Sequence, residues 1–577
     1  MATVTPGETA NQPPPLAGHD LFEADRPLAE ALEREGGGWA RERCSAFGTL
    51  LTREPLEWGR LANEHPPVLR THDRFGERID EVEFHPAWHE LMRLSLANGL
   101  HSLSWTDSRP RAAEGGPTSR PGAGGFAAGA SREGAHVARA ALFMLMSQVE
   151  AGHGCPVSMT HAAVPALRTA APALAAEWEP LLTSPEYDFG LRPAAEKRGV
   201  LCGMAMTERQ GGSDVRANTT AARPIGGDEY ELGGEKWFCS APMCDAFMVL
   251  AQAPGGLSCF LVPRVLPDGT RNGFRIERLK DKLGDRSNAS GEIALDRAWG
   301  RLVGEEGRGV RAIVEMVVHT RLDCVLGTAA GMRQAVEHAT HHAAHRTAFG
   351  KLLVDQPLMQ NVLADLCLES EAATATALRL ARAYDRRAAG DEREGAFARI
   401  ATAVAKFWIC KRGPGHAAEA LECVGGNGYV EESGLPRVYR QQPLLSIWEG
   451  SGNVVCLDVL RAARREPETV EALLAELREA AGADPRLDAA VEGLERELAR
   501  PEELEPRARL VVERLALALQ ASLLVRHAPP EVADAFCAAR LPGRSGGSTA
   551  GLVYGTLPPG VETRLIIQRN RPITVSG

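Results

Sequence analysis

The sequence contains no apolar run of the roughly 18 residues that a membrane-spanning helix needs, so no segment is expected to cross a bilayer. Its N-terminus, Met-Ala-Thr-Val-Thr-Pro-Gly-Glu, has neither a basic stretch nor an apolar core, which argues against a secretory leader. The 12 cysteines are scattered without a single CxxC pair or framework spacing, the pattern of reduced thiols in a cytoplasm rather than of a disulfide scaffold. A basic excess is also missing. Lys and Arg number 65 against 75 Asp and Glu, a net charge of −10, so the chain as a whole is no polyanion binder. One local basic face is still compatible with that balance. What is present is an ordinary globular composition, 44% hydrophobic and 24% charged, which excludes a mostly disordered chain. At about 150 residues per domain, 577 residues correspond to about four domains.

Pattern divides the chain accordingly. Residues 1–24 begin with a Pro-, Thr- and Asn-rich stretch and read as a flexible tail. Residues 25–199 are expected to be a helical domain, with apolar residues at helical spacing in stretches such as Val137 to Val149. It is interrupted by a Gly- and Pro-rich insertion at 109–133. From 200 to 309 the period shortens to that of strands around Tyr230, Phe247, Cys259 and Phe274. Turn signals such as Pro254-Gly-Gly and Pro267-Asp-Gly separate them, which suggests a small barrel or sandwich. Residues 310–468 are helical again, with segments long enough for a bundle. Residues 469–577 form an additional piece, helical to about Ala538 and then Gly-rich.

Five motifs carry possible chemistry. Met204-Ala-Met-Thr-Glu-Arg-Gln-Gly-Gly-Ser-Asp-Val215 combines adjacent glycines with two hydroxyls, which suits close approach of a planar ring or phosphate, or else a plain surface turn. Gly234-Glu-Lys-Trp-Phe-Cys-Ser240 places an aromatic pair near a hydroxyl, as a flavin-stacking strand or a core-facing one would. Arg346-Thr-Ala-Phe-Gly-Lys-Leu-Leu-Val-Asp-Gln356 offers a guanidinium fork for a pyrophosphate or for a surface ion pair. Gly425-Gly-Asn-Gly-Tyr429 could present backbone to phosphate or simply turn between helices. In Ile447-Trp-Glu-Gly-Ser-Gly-Asn453, Glu449 follows an apolar stretch. It could be a desolvated base that abstracts a proton α to a carbonyl, or a helix cap without chemistry.

In this order on this domain string, the five motifs resemble those of the acyl-CoA dehydrogenase flavoprotein superfamily. Gln148-Val-Glu-Ala-Gly-His-Gly-Cys-Pro, Lys280-Asp-Lys-Leu-Gly-Asp-Arg-Ser-Asn-Ala-Ser and the run from Ser446 to Arg461 are similar to its AidB-like branch. The resemblance implies an α+β multidomain fold: N-terminal helices, central β-barrel, four-helix bundle and an extra C-terminal helical domain. It implies FAD as cofactor. Met204, Met206, Thr207, Gly212, Ser213, Phe238 and Ser240 fall on the flavin side, and Arg346, Phe349, Gln356, Gly425 and Gly426 at the pyrophosphate and adenosine. Glu449 takes the place of the catalytic base, with Trp448, Ser451 and Asn453 beside it on the cofactor. Ser213 and Arg321 correspond to substrate contacts. The branch further implies a homotetramer, double-stranded DNA as partner and a role in the response to DNA alkylation. Three positions depart from the wider family. Phe238 stands where a stacking Trp is usual, with Trp237 one place earlier. Glu422 replaces a Gln, and Val318 replaces the Asp expected three residues before Arg321.

Two readings therefore stand. One is an FAD enzyme acting on an acyl thioester, including a metabolic enzyme for a short branched or unusual acyl group with no DNA role. The other is a DNA-associated flavoprotein of alkylation stress that retains dehydrogenase-type chemistry. For DNA, Arg461, Arg464 and Arg465 form a compact basic cluster. From Ala521 onward six Arg (526, 540, 544, 564, 569, 571) stand against three acids (531, 534, 562), and the Gly543-Arg-Ser-Gly-Gly loop suits backbone contact. No base-reading element is visible, so binding would be independent of sequence and sensitive to salt. His338, His341, His342 and His345 share a helix face but lack clustered carboxylates or thiols. They read as a polar face, and no metal site is expected.

Overall fold

The computed structural model describes residues 11–16, 18–106, 132–500, 504–541 and 553–572. Short helices, among them Arg26–Arg34, Arg41–Leu51 and Pro86–Ala97, lead into the buried pair Ala135–Val149 and Gly154–Ala170. The expectation of a mainly helical start does not include the hairpin Val68–His72 with Arg78–Glu83. Its alternation is short, and its turn is organised by Asp73, whose carboxylate accepts from the N–H groups of Phe75 and Glu77. Most of the 109–133 insertion lies outside the described residues.

The central region is a closed barrel. Ala246–Ala253 pairs antiparallel with Gly256–Pro263, which pairs with Ser290–Val303 and through it with Glu229–Ser240. Ala221–Gly226 joins Glu229–Ser240 to Ala246–Ala253 and completes the ring. Cys202–Ala205 and Phe274–Leu279 are added at its flanks. Val249, Leu250, Phe260 and Val262 are fully buried, and such near-continuous apolar strands fit a barrel covered by helices.

Three long helices form the centre of the bundle: Gly309–His345 of 37 residues, and Pro357–Ala388 and Glu392–Cys423 of 32 residues each. Their buried faces are rich in alanine, which allows the axes to approach closely. Gly413 has a packing reason to be glycine, because a Cβ there would stand 2.4 Å from Oε1 of Gln442. Among the described residues no helix is long and apolar enough to cross a membrane.

Two expectations change. Residues 11–24 are not a free tail. His19 bonds Glu337 at 2.6 Å, Pro14 accepts from His341, and Asp20 caps Leu21–Ala24. Residues 1–10 lie outside the described residues. The C-terminal piece is a layer sewn to the bundle rather than a basic surface. Arg540 is buried with Asp365 and Glu369, and Arg569 binds Glu371 and Glu30. Arg526 binds Glu476, which also holds Arg379. The local positive balance along the sequence is thus largely neutralised inside the fold. Arg544 and its Gly-rich loop lie outside the described residues.

Removing a guanidinium that neutralises two buried carboxylates is strongly destabilising, of order 3–5 kcal/mol. Arg540→Ala is therefore expected to lower the unfolding free energy by that margin, read as a fall in the urea midpoint at unchanged slope by far-UV circular dichroism.

Candidate active site

The first two motifs are joined by backbone and by charge. The N–H of Trp237 donates to the carbonyl of Thr207 at 2.8 Å. The carboxylate of Glu208, inside the first motif, accepts from Lys236 at 2.8 Å and from the N–H and hydroxyl groups of Thr219 and Thr220. Burial alone would raise this carboxyl, but Lys236 and the Thr219 and Thr220 donors hold it down to about 2. Strand register slips between Lys236 and Cys239, the stretch that holds Trp237 and Phe238. Phe238 is left 52% exposed, with Ser213 and Gly212 also exposed and Thr207 and Ser240 half-buried. Lys280 lies over both aromatic rings, 3.7 Å from the Trp237 centroid and 4.5 Å from that of Phe238. Met204 is buried in the core, whereas Met206 packs partly against it.

Glu449 stands on the loop before Gly452–Arg465 with a left-handed φ of 58°, strained for a residue other than glycine. Two cations hold the loop by its carbonyls. Arg321 donates from Nε to the Glu449 carbonyl at 2.8 Å, and Lys406 donates to the Gly450 carbonyl. Arg321 in turn binds Asp458 at 2.7 Å, and Arg399 binds the other oxygen of Asp458 at 3.0 Å. Burial would raise Asp458, yet these two arginines keep it below the ordinary range. Arg321, expected as a substrate contact, also clamps the loop that carries Glu449. The carboxylate it engages is Asp458, from a different helix, rather than one at Val318.

The Glu449 side chain reaches Thr320, while its Oε2 is shut off from solvent without a hydrogen-bond partner. Burial pushes this carboxyl above the usual range, against the Thr320 hydrogen bond and the charges of Arg321 and Lys406. Trp448 Nε1 is likewise buried and unpartnered. Cys155 lies buried near both Ser240 and Glu449, and its burial pushes the thiol up to about 12. Ser451 stands at the N-cap of the following helix but makes no capping bond, and Asn453 is exposed on its first turn.

The third and fourth motifs meet through the N-terminal segment. Arg346 donates to the Asn11 carbonyl at 2.7 Å, and Gln12 accepts from Asn427 of the Gly425–Tyr429 turn at 3.2 Å. Thr347–Ala348 and Lys351–Leu352 form a minimal hairpin turned by Phe349 and Gly350. Both turn residues have positive φ, and Phe349 is 99% exposed. Gln356 closes the hairpin by donating to the Ala348 carbonyl. Gly425 and Gly426 face open space, where an added Cβ would meet no atom within 4 Å. His341 and His345 are engaged with backbone carbonyls, in keeping with a polar helix face.

These arrangements suit a flavin dinucleotide: an exposed aromatic ring and hydroxyls on the barrel, unpartnered buried polar atoms beside Glu449, and open glycines near an arginine. The residues missed from the sequence are the clamps, Thr320, Lys406, Arg399 and Asp458. Only contacts across the fold reveal them.

Family comparison agrees with the architecture. The family described as adaptive response protein AidB N-terminal domain matches residues 11–189. The acyl-CoA dehydrogenase middle domain matches 203–298, and the acyl-CoA dehydrogenase C-terminal domain matches 307–463. The chain is 48% identical over 537 residues to the putative acyl-CoA dehydrogenase AidB of Escherichia coli K12, covering 93% of this chain and 94% of that one. It is 30% identical to acyl-CoA dehydrogenase family member 11 of Caenorhabditis elegans, over 76% of this chain and 69% of that one. Among solved structures, Bd2924 in its apo form superimposes with TM-score 0.80 at 28% identity, over 90% of this chain and all of that one. The C. elegans ACDH-11 complex with C11-CoA gives 0.79 at 26% identity, over 93% of each chain. The fold and site define a helical, barrel and bundle scaffold of the acyl-CoA dehydrogenase type. The chain belongs to the acyl-CoA dehydrogenase family, in its AidB-like branch.

Glu208 gives a stability test. Its folded carboxyl titrates at about 2, below the ordinary 4.5, so its contribution is complete above about 4.5 and is lost as pH falls toward 2. Thermal melts across that window should show a steeper acid loss for wild type than for Glu208→Gln.

Proposed function

We propose that the protein is an FAD-dependent oxidoreductase of the acyl-CoA dehydrogenase type, with Glu449 as the base that removes the α-proton of an acyl thioester. The observation that carries this reading is the Glu449 carboxylate itself: desolvated, raised in basicity, and fixed by a loop whose carbonyls are clamped by Arg321 and Lys406. Bound FAD would supply the hydride acceptor for the β-carbon. Phe238, Thr207, Ser213 and Ser240 would hold its ring, with Trp448, Ser451 and Asn453 near the base. Arg346, Phe349, Gln356, Gly425 and Gly426 would hold its pyrophosphate and adenosine. The buried setting excludes bulk water from the unpartnered Oε2 of Glu449. The similarity to a structure solved with C11-CoA supports an acyl-CoA as substrate. The fully exposed Phe349 hairpin supports assembly with other copies of the chain, as a homotetramer.

A DNA-associated role in the adaptive response to alkylation completes the proposal. Its support is the similarity to AidB and the surface position of Arg461, Arg464 and Arg465 on the last turns of Gly452–Arg465. Because the arginines at 526, 540 and 569 are held in internal ion pairs, the DNA face centres on this cluster rather than on the C-terminal layer.

Purified protein should show the visible absorbance of bound FAD, and anaerobic addition of an acyl-CoA panel should bleach it. Glu449→Gln should retain FAD and lose turnover by about a hundredfold or more, the scale of general-base catalysis. Wild-type rates should rise with pH through a value above the ordinary carboxylate range, because the ionised form is the base. Retained turnover in Glu449→Gln would refute the assignment. In mobility shifts, Arg461→Ala with Arg464→Ala and Arg465→Ala should weaken duplex binding without sequence preference. The slope of log affinity against log salt should also flatten, by about 0.9 for each phosphate no longer neutralised.

A further inference from the structure

Three imidazoles from distant parts of the chain converge in the buried interior. His136 comes from Ala135–Val149, His161 from Gly154–Ala170 and His319 from Gly309–His345. All three are at most 5% exposed. One ring nitrogen of each lies within 4.8 Å of one from each of the others. Their ring centroids are 5.5–5.8 Å apart, and Trp105 roofs the group, stacked on His161 at 4.7 Å with its edge contacts to His136 and His319.

The hydrogen-bond pattern leaves lone pairs available. Nδ1 of His161 faces the His101 carbonyl at 3.2 Å and carries its proton there, so Nε2 is the nitrogen with a lone pair to offer. Nε2 of His136 and Nδ1 of His319 are buried with no hydrogen-bond partner at all. Unmet polar atoms at such depth are costly, and two in one cluster, beside the lone pair of a third ring, call for a common partner. On its other nitrogen, His319 has the Glu315 carboxylate at 3.9 Å. The His101 carbonyl behind His161 is the kind of partner that orients a metal-bound imidazole.

The charges around the cluster are already matched. Arg139 is paired with Asp323, and Arg387 with Glu315. No carboxylate or thiol joins the group among the described residues, so the donor set is three neutral imidazoles. That set favours zinc and its imidazole-preferring neighbours over magnesium or calcium, which require oxygen. Nitrogens at about 2.0–2.1 Å from a tetrahedral zinc would lie roughly 3.4 Å apart. Zinc ligation would have to draw the three nitrogens together to this spacing.

We propose that His136, His161 and His319 form a zinc site with three protein ligands and one water. The site ties the two N-terminal helices to the bundle. His319 is also the neighbour in sequence of Thr320, on the same helix. This inference does not depend on the reaction proposed above.

The test uses the full-length flavoprotein as purified, chelator-treated, desalted and titrated with Co2+ and then Zn2+. Expected are one equivalent of Co2+ per chain, the visible d–d bands of tetrahedral nitrogen and oxygen ligation, and displacement of those bands by Zn2+. Zinc should raise the wild-type melting midpoint. His136→Gln, His161→Gln and His319→Gln should each weaken binding more than a hundredfold while the metal-free protein keeps its FAD content. Absence of stoichiometric binding by wild type would overturn the proposal, whatever the variants do. So would binding that survives all three substitutions, or thiolate-to-cobalt charge-transfer bands in place of nitrogen ligation.

Discussion

The candidate site depends on one constraint, the left-handed turn at Glu449. A non-glycine residue in that region costs on the order of 1–3 kcal/mol and persists only when its surroundings overdetermine it. Here the overdetermination comes from cations on carbonyls: Arg321 on Glu449, Lys406 on Gly450. These hydrogen bonds engage the backbone, and burial of the carboxylate outweighs the opposing charges of Arg321 and Lys406 and raises its basicity. Asp458 then fixes Arg321 from the next helix. The backbone of Glu449 is thereby fixed by one set of groups while its side chain answers to another.

The same economy of charge runs through the rest of the molecule. Arg139 with Asp323 joins the N-terminal helices to the bundle, Lys236 with Glu208 fixes the loop of the first motif, and Arg540 with Asp365 and Glu369 attaches the C-terminal layer. The first and last of these cross boundaries between regions that composition alone draws as separate domains. Net charge is a poor guide to surface chemistry for this reason. Several of the arginines that give the C-terminal stretch its local excess face inward, and the outward cluster at 461–465 belongs to the bundle.

Fold class is legible in the sequence because the period of apolar residues changes twice, from helical to alternating near Val200 and back near Val310. The Phe247 to Leu250 and Cys259 to Val262 strands and the three long helices fall where periodicity places them. The hairpin at Val68 to Glu83 escapes because two short strands carry too few alternations to stand out. The docked segment from Asn11 onward looks like a tail because proline-rich composition reports local stiffness, not the partners at His341 and Arg346. Within the site, the motif residues are legible and their supports are not. Glu449 announces itself between Trp448 and Gly450, whereas Lys406 and Asp458 become meaningful only when helices bring them to the loop. The imidazoles of His136, His161 and His319 share no spacing at all, while the regularly spaced histidines from 338 to 345 mark a plain helix face.

The ion pairs that attach the C-terminal layer bear on how this protein could have acquired it. Asp365, Glu369 and Glu371 are buried acids on Pro357–Ala388, and their partners Arg540 and Arg569 lie in the last helices. A bundle that had these acids but not the layer would hold three desolvated carboxylates with fewer counterions. A layer grafted onto a bundle lacking them would bring buried guanidinium groups to an apolar face. Neither half is a neutral intermediate. The appended segment and the helix beneath it must therefore have changed together, and a chimaera between relatives with and without it must exchange both surfaces at once.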